Sequence, residues 1–257
     1  MEKQHHITLS VVMAAYNEEA TISQIVSKVL EIPQLLELII VDDCSTDNTP
    51  SIAQGLAEKE PRIKYLRQKR NAGKTAALRA GFALSQGDIV IVQDADLEYD
   101  PLEIPDVISP IIDGKADVVY GSRFMVKKAT RVLYFYHYIA NKGLTFFSNC
   151  LTNVNMTDIE TCYKAFRGEI IRSMKITSSG FGFEIEVTAK VAKLNCRIYE
   201  VPISYYGRTY EEGKKIGLKD ALMAIWYILK FNLLTGLNSS YRELSEISPK
   251  FLNKTTT

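Results

Sequence analysis

Short aliphatic runs alternate along this chain with longer stretches in which apolar residues return every three or four positions. Ile7 to Met13 reads as a strand that breaks at Ala14-Ala15-Tyr16-Asn17-Glu18-Glu19, after which Ile22, Ile25, Val26, Val29 and Leu30 keep helical spacing until Pro33. Glu37 to Val41 predicts a second strand, running into the polar stretch Asp42 to Thr49. A helix from about residue 49 to 60, a strand over 63–66 and a helix from about 74 to 85 follow, and Gly87 then resets the chain. Ile89-Val90-Ile91-Val92 places four aliphatic residues together, the mark of a strand buried on both faces. Beyond it the pattern predicts a helix near 102–112, stopping at Gly114, and a strand over 117–120 leading into Gly121-Ser122-Arg123. Strand and helix alternate throughout, so the expectation is an α/β fold with a mostly parallel sheet and right-handed crossovers.

The second half has a different character. Lys127 to Leu151 is rich in aromatics, with Lys127, Lys128, Arg131 and Lys142 among them. A helix is expected over 184–194 and a strand over 196–206. Leu218 to Leu234 is amphipathic in pattern, with Leu218, Ala221, Leu222, Ile225 and Leu229 on one face and Trp226, Tyr227 and Phe231 beside it. The remainder, from Ser239, reads as a polar tail. This divides the chain into a body over 1–216 and an amphipathic, membrane-interface helix with its tail over 217–257.

Composition narrows the partners. At 257 residues, 46% apolar and 24% charged, with a formal charge of +1, the chain has an ordinary globular balance, and nucleic acid is excluded as a general partner. Cys44, Cys150, Cys162 and Cys196 show no metal or redox spacing, which fits a reduced, cytoplasmic chain. The N-terminus lacks the order of a signal peptide, and no run approaches the roughly 18 apolar residues of a spanning helix. The expected protein does not cross a membrane but can lie on one.

The chemistry gathers where the central strand ends, in Gln93-Asp94-Ala95-Asp96-Leu97-Glu98-Tyr99-Asp100-Pro101. A buried strand of an open α/β sheet delivers its last side chains to the carboxyl edge, where ligands bind in such folds. If the backbone stays extended, Asp94, Asp96 and Glu98 point to one side, in outline a site for Mg2+ or Mn2+ completed by phosphate oxygens. Asp100-Pro101 reads instead as a helix cap. A Walker loop at Asn71-Ala72-Gly73-Lys74-Thr75 fails because Gln68 stands where glycine is required, and a calcium loop fails because Tyr99 does. What remains is a crevice floored by the loops at 14–18, 42–45, 71–74 and 94–98. It suits a nucleotide whose base meets the first two loops and whose diphosphate meets the metal at the last.

Tyr16-Asn17-Glu18-Glu19, Val41-Asp42-Asp43-Cys44-Ser45-Thr46-Asp47, Gln93-Asp94-Ala95-Asp96-Leu97-Glu98 and Gly121-Ser122-Arg123 resemble the successive motifs of glycosyltransferase family 2, and within it the polyprenyl-phosphate sugar synthases, over residues 7–216. The resemblance implies a glycosyltransferase-A, Rossmann-like fold. It assigns Ala14, Tyr16, Glu18, Val41 and Asp43 to the nucleoside of a nucleotide-sugar donor, and Lys74, Asp94, Ala95, Asp96, Arg123, Arg208 and Lys214 to the rest of that donor. Asp96 and Glu98 would ligate the metal, and Asp96, Arg123 and Arg208 would act in catalysis. Glutamate at 98 departs from the family's more usual glutamine. Arg123, His137, Asn141 and Lys214 would meet the acceptor phosphate, with His137 standing where arginine is usual. The segment Thr157-Asp158-Ile159-Glu160-Thr161-Cys162 departs from the family's Asp-Pro-x-Ser-Gly-Phe and marks a distinct branch.

The activity so implied is metal-dependent, inverting transfer of a hexose, mannose from GDP-mannose, onto a dolichyl or undecaprenyl phosphate. The chain would be peripheral on the cytoplasmic face of a membrane, attached directly or through a membrane-protein partner. Two other readings fit the same residues. One is transfer from a donor of the UDP-glucose type to a saccharide hydroxyl, with Asp158, Glu160 or Glu184 as general base. The other is a nucleotide-sugar-binding module without turnover.

Overall fold

The aliphatic runs become the strands of one seven-stranded sheet in the computed structural model, which describes residues 6–125, 131, 134–207, 218–242 and 247–252. The strands are β1 (Leu9–Ala15), β2 (Leu35–Asp42), β3 (Ile63–Arg67), β4 (Ile89–Asp94), β5 (Val118–Ser122), β6 (Lys164–Arg167) and β7 (Ile198–Pro202), in the order β3-β2-β1-β4-β6-β5-β7. β3, β2, β1 and β4 run parallel, as do β5 and β7, while β6 is antiparallel to both neighbours. The helices are α1 (Ile22–Leu30), α2 (Thr49–Lys59), α3 (Lys74–Leu84), α4 (Ile104–Ile112), α5 (Phe135–Thr152), α6 (Gly168–Ser173), α7 (Phe183–Val191), α8 (Leu218–Leu233) and the short α9 (Leu237–Ser240).

The parallel half follows its hydrophobic pattern closely. In α1, Ile22, Ile25, Val26 and Val29 are fully buried, and each such burial contributes roughly 1.5–3 kcal/mol. α3 lies close on β1 and β2 because Gly81 has no side chain. A Cβ there would stand 2.4 Å from Val12 Cγ1. Gly81→Ala therefore forces a shift costing about 1–3 kcal/mol. At the other end of α3, Gly73 precedes the first turn with φ +87°, a conformation that glycine adopts without strain.

Three elements go beyond the pattern. β6 and α6 interrupt a stretch to which the sequence assigns no regular structure. β6 is only four residues long, and it buries Lys164 completely, so no alternating apolar signal marks it. In α8, the buried face is Ala224, Tyr227, Ile228 and Phe231, packed on α7 and α5, whereas Leu222 and Ile225 of the expected apolar stripe are exposed. The helix is apolar nearly all round, and the tertiary contacts choose which side is core. The expected strand 196–206 shortens to β7, and the expected helix 184–194 becomes α7.

Candidate active site

Sheet topology brings the acidic loops together. The shared register pairs Ala14 of β1 with Val41 of β2 and with Asp94 of β4, so three loop entrances lie in one row at the carboxyl edge. β5 runs in the same direction as β4, which carries Arg123 to that edge as well. Because β6 runs the other way, the loop before it, with Asp158, Glu160 and Cys162, arrives there too.

On the nucleoside side, Tyr16 is partly exposed at the rim, and Asn17 adopts φ 56°, its side chain accepting from the Thr46 N–H at 2.8 Å. The carboxylate of Glu18 accepts from Thr21 Oγ1 at 2.9 Å. Val41 and Ala95 are buried, so a ligand can meet only their backbone groups. Asp43 is turned to the loop beside it: it accepts from Gln68 Nε2 at 2.8 Å and from the N–H groups of Ala72 and Gly73 at 2.9 and 2.7 Å. It thereby sets the shape of the 71–74 loop.

The carboxylates after β4 do not form a single extended row. The backbone bends after Asp94, and the three side chains find separate partners. Asp94 takes Lys74 at 2.9 Å, and the same ammonium reaches Glu184 at 3.1 Å. Burial by itself would lower the Lys74 pKa, but Asp94, Cys162 and Glu184 together hold it well above the usual lysine value. Asp96 is 8% exposed, and its Oδ1 accepts from the Glu98 N–H at 3.1 Å. Glu98 Oε2 accepts from Tyr205 Oη at 3.0 Å. Asp100 caps the following turn, as expected, by accepting from the Leu102 N–H. Among the described residues no group of three or more His, Cys, Asp or Glu could hold an ion. Asp96 and Glu98 could offer hard carboxylate oxygens to a cation. That suits Mg2+ or Mn2+, whose other positions would go to phosphate and water.

Arg123 is the organised cation of the opposite side. Its Nε and Nη2 donate to the two oxygens of Asp158, both at 2.7 Å, and its own N–H donates to the same carboxylate. Burial works against the Asp158 carboxylate, but the Arg123 guanidinium outweighs it and lowers the pKa. Glu200 of β7 secures that loop, accepting from the N–H and Oγ1 of Thr157 and from the Asp158 N–H. Phe124 links Arg123 to α5: the Arg123 guanidinium and the Lys142 ammonium lie 5.7 and 4.8 Å from its ring, and Tyr138 packs edge-on at 5.2 Å. His137 and Asn141 occupy the first two turns of α5, where Asn141 Nδ2 donates to the His137 carbonyl. Arg208 and Lys214 lie outside the described residues.

Three features escape the sequence motifs. The Arg123–Asp158 pair has no signal in either residue's neighbours. Tyr205 belongs to no motif, yet it touches Glu98. Lys164 is buried between the Ile159 and Thr161 carbonyls and lies near Glu160 and Glu184. Burial, and then Glu184, push the Glu160 carboxyl upward, while Glu160 Oε1 and Glu184 Oε2 are buried without a hydrogen-bond donor.

Comparison with known proteins identifies the fold and the family. The chain is 29% identical over 229 residues to the dolichol-phosphate mannosyltransferase of Pyrococcus furiosus, covering 87% of this chain and 64% of that enzyme's length. It is 28% identical over 217 residues to the undecaprenyl-phosphate mannosyltransferase of Micrococcus luteus, covering 80% of this chain and 86% of that one. Among solved structures, glucosyl-3-phosphoglycerate synthase from Mycobacterium tuberculosis in complex with Mn2+, uridine diphosphate and glucosyl-3-phosphoglycerate superposes with a TM-score of 0.64 at 24% identity, over 88% of this chain and 80% of that one. The architecture is the glycosyltransferase-A fold. The model of glycosyl transferase family 2 matches residues 10–174, and the chain belongs to that family.

Proposed function

We propose that this chain transfers a hexose from a nucleotide sugar, mannose from GDP-mannose, onto the phosphate of a polyprenyl lipid, with inversion at the anomeric carbon. The observation that carries the reading is the meeting, at one sheet edge, of two acidic side chains with a rigid, largely buried arginine, next to helices whose outer faces are apolar. Two relatives, named dolichol-phosphate mannosyltransferase and undecaprenyl-phosphate mannosyltransferase, support the mannosyl group and the polyprenyl-phosphate acceptor.

Asp96 and Glu98 would hold Mg2+ or Mn2+. When bound, the cation supplies Lewis-acid stabilisation for the departing diphosphate. Tyr16 offers a ring to the base, Asp43 shapes the loop beneath the nucleoside, and Lys74 fixes the Asp94 carboxylate toward the donor. Arg123, which Asp158 keeps from swinging away, presents its remaining Nη1 edge to the acceptor phosphate. Arg208 and Lys214 are proposed to close on the diphosphate, and His137 and Asn141 to flank the acceptor. A phosphate oxygen is already ionised at neutral pH, so attack on the anomeric carbon needs no general base.

The outer faces of α5 and α8 carry Phe135, Tyr136, Phe146, Leu222, Trp226 and Leu233, all exposed. No helix among the described residues is long and apolar enough to cross a membrane. These faces suit an interfacial position on the cytoplasmic leaflet, where aromatic rings and flanking lysines are favoured. The catalytic body is proposed as 1–216, with 217–257 serving this attachment.

The test is release of nucleoside diphosphate from a panel of nucleotide sugars with Mg2+ or Mn2+, with and without undecaprenyl or dolichyl phosphate. Turnover that depends on the lipid phosphate is expected, and its absence across the panel overturns the reading. The raised Glu160 carboxyl favours one alternative, a saccharide hydroxyl acceptor with Glu160 as base. Under it Glu160→Gln abolishes turnover, whereas a lipid-phosphate acceptor leaves most of it.

A further inference from the structure

The segment after β7 is fastened to the loop after β4 at several points. Ser204 donates through its N–H and its Oγ to the two carboxylate oxygens of Glu103, each at 2.8 Å, and the Tyr206 N–H donates to the Glu98 carbonyl at 2.9 Å. These contacts leave little play in the residue between them, Tyr205. Its ring lies 5.3 Å from that of Tyr99, and the Arg123 guanidinium carbon stands 5.2 Å from the Tyr205 centroid, within the range of a cation–π contact. Its hydroxyl donates to Glu98 Oε2. Packing explains the ring but not the hydroxyl, since phenylalanine would fill the same space. The hydroxyl thus meets the carboxylate proposed to ligate the metal, and the ring the arginine proposed to meet the acceptor.

We propose that Tyr205 is a positioning residue serving both sides of the transfer, its hydroxyl setting the orientation in which Glu98 meets the divalent cation and its ring carrying Arg123 toward the acceptor phosphate. The inference rests on the reading above of Glu98 as a metal ligand and Arg123 as an acceptor contact. Partners that orient a ligating carboxylate typically govern metal affinity by one to two orders of magnitude.

Two substitutions separate the two contacts. Tyr205→Phe keeps the ring and removes the hydroxyl. Its Mn2+ affinity in the presence of GDP, titrated by the electron paramagnetic resonance signal of free Mn2+, should fall about tenfold or more. Its KM for undecaprenyl phosphate should stay within about twofold, and saturating Mn2+ should restore kcat, because the ring contact with Arg123 is intact. Tyr205→Leu removes both contacts and should add a rise in that KM of about threefold or more. Wild-type Mn2+ affinity in Tyr205→Phe overturns the inference, as does a lipid KM that rises equally in both variants. If Tyr205→Leu does not fold, the Mn2+ titration of Tyr205→Phe decides alone. Failure of the underlying reading shows differently, in the unsubstituted protein: Mn2+ then does not bind with GDP, or binds equally well to Asp96→Ala, and the inference falls with it.

Discussion

The two halves of the sheet treat charge and grease in opposite ways. Around β3, β2, β1 and β4 the core is aliphatic, and the acidic residues at the strand ends are held by loop groups and by cations that are themselves partly exposed: Asp42 by the Ser45 N–H and Arg67, Asp43 by the Ala72 and Gly73 N–H groups, and Asp94 by Lys74. Around β6, β5 and β7 ion pairs lie in or at the edge of the interior, largely buried Arg123 with buried Asp158 and Lys190 with Glu186, while phenylalanine, tyrosine and tryptophan side chains face outward. A buried pair adds little net stability over well-packed hydrophobic residues, but it fixes two side chains in one geometry and is costly to break. The first half is therefore a conventional scaffold whose loops are proposed to hold the nucleotide. The second spends stability on a rigid arginine and an apolar surface, which would suit the proposed acceptor with its charged head and greasy tail.

Substitutions can break this contrast in a graded series. Asp96→Ala, at the tip of the scaffold half, should leave the thermal unfolding transition near that of the parent while nucleoside diphosphate release falls by about a thousandfold or more, because the transition-state charge loses its counter-ion. Retained turnover at saturating Mg2+ would contradict the metal assignment. Asp158→Ala should act on stability instead. It strands a largely buried guanidinium, and urea unfolding should show a loss of about 3 kcal/mol, more than Asp43→Ala, whose partners are mainly neutral groups able to meet water.

A smaller effect is expected in acid at the other edge of the second half. Asp117 accepts from Arg167 and from Arg197, fastening the ends of β5, β6 and β7. Burial opposes its ionisation, yet the hydrogen bonds from Arg197 and Arg167 bring its pKa down to about 2. A carboxylate lowered on folding contributes stability that is present above its ordinary value near 4 and is lost as pH falls through the folded value. Between about pH 4 and pH 2 the parent should therefore lose about 2 kcal/mol more than Asp117→Asn, measured by urea midpoints. The smallest change in stability belongs to Trp226→Glu on the outer face of α8, within about 0.5 kcal/mol, because that side chain is half exposed. Sedimentation with anionic liposomes should nonetheless fall, and unchanged sedimentation would give that face to a protein partner or to no partner at all.

Much of the first half can be read directly from the chain. Each of β1, β2 and β4 is an aliphatic run followed at once by its polar loop, so contiguous residues reveal both the strand and what its end offers. The order of the motifs carries the family, and the carboxylates at 94, 96 and 98 carry the expectation of a cation. The extended row drawn from their spacing does not form, because the backbone bends after Asp94 and each side chain takes a different partner.

The rest belongs to contacts that no local pattern encodes. Arg123 and Asp158 are 35 residues apart, and Glu98 and Tyr205 are 107 apart. They meet only because β6 enters the sheet backwards and the chain after β7 returns over the carboxyl edge. A four-residue strand with a buried lysine has no hydrophobic rhythm to announce it, and a helix apolar on all sides cannot say which side is core. Periodicity determined the elements and the acidic strand end. Packing of distant segments decided which charges are paired, which aromatic faces stay open, and where the arginine points.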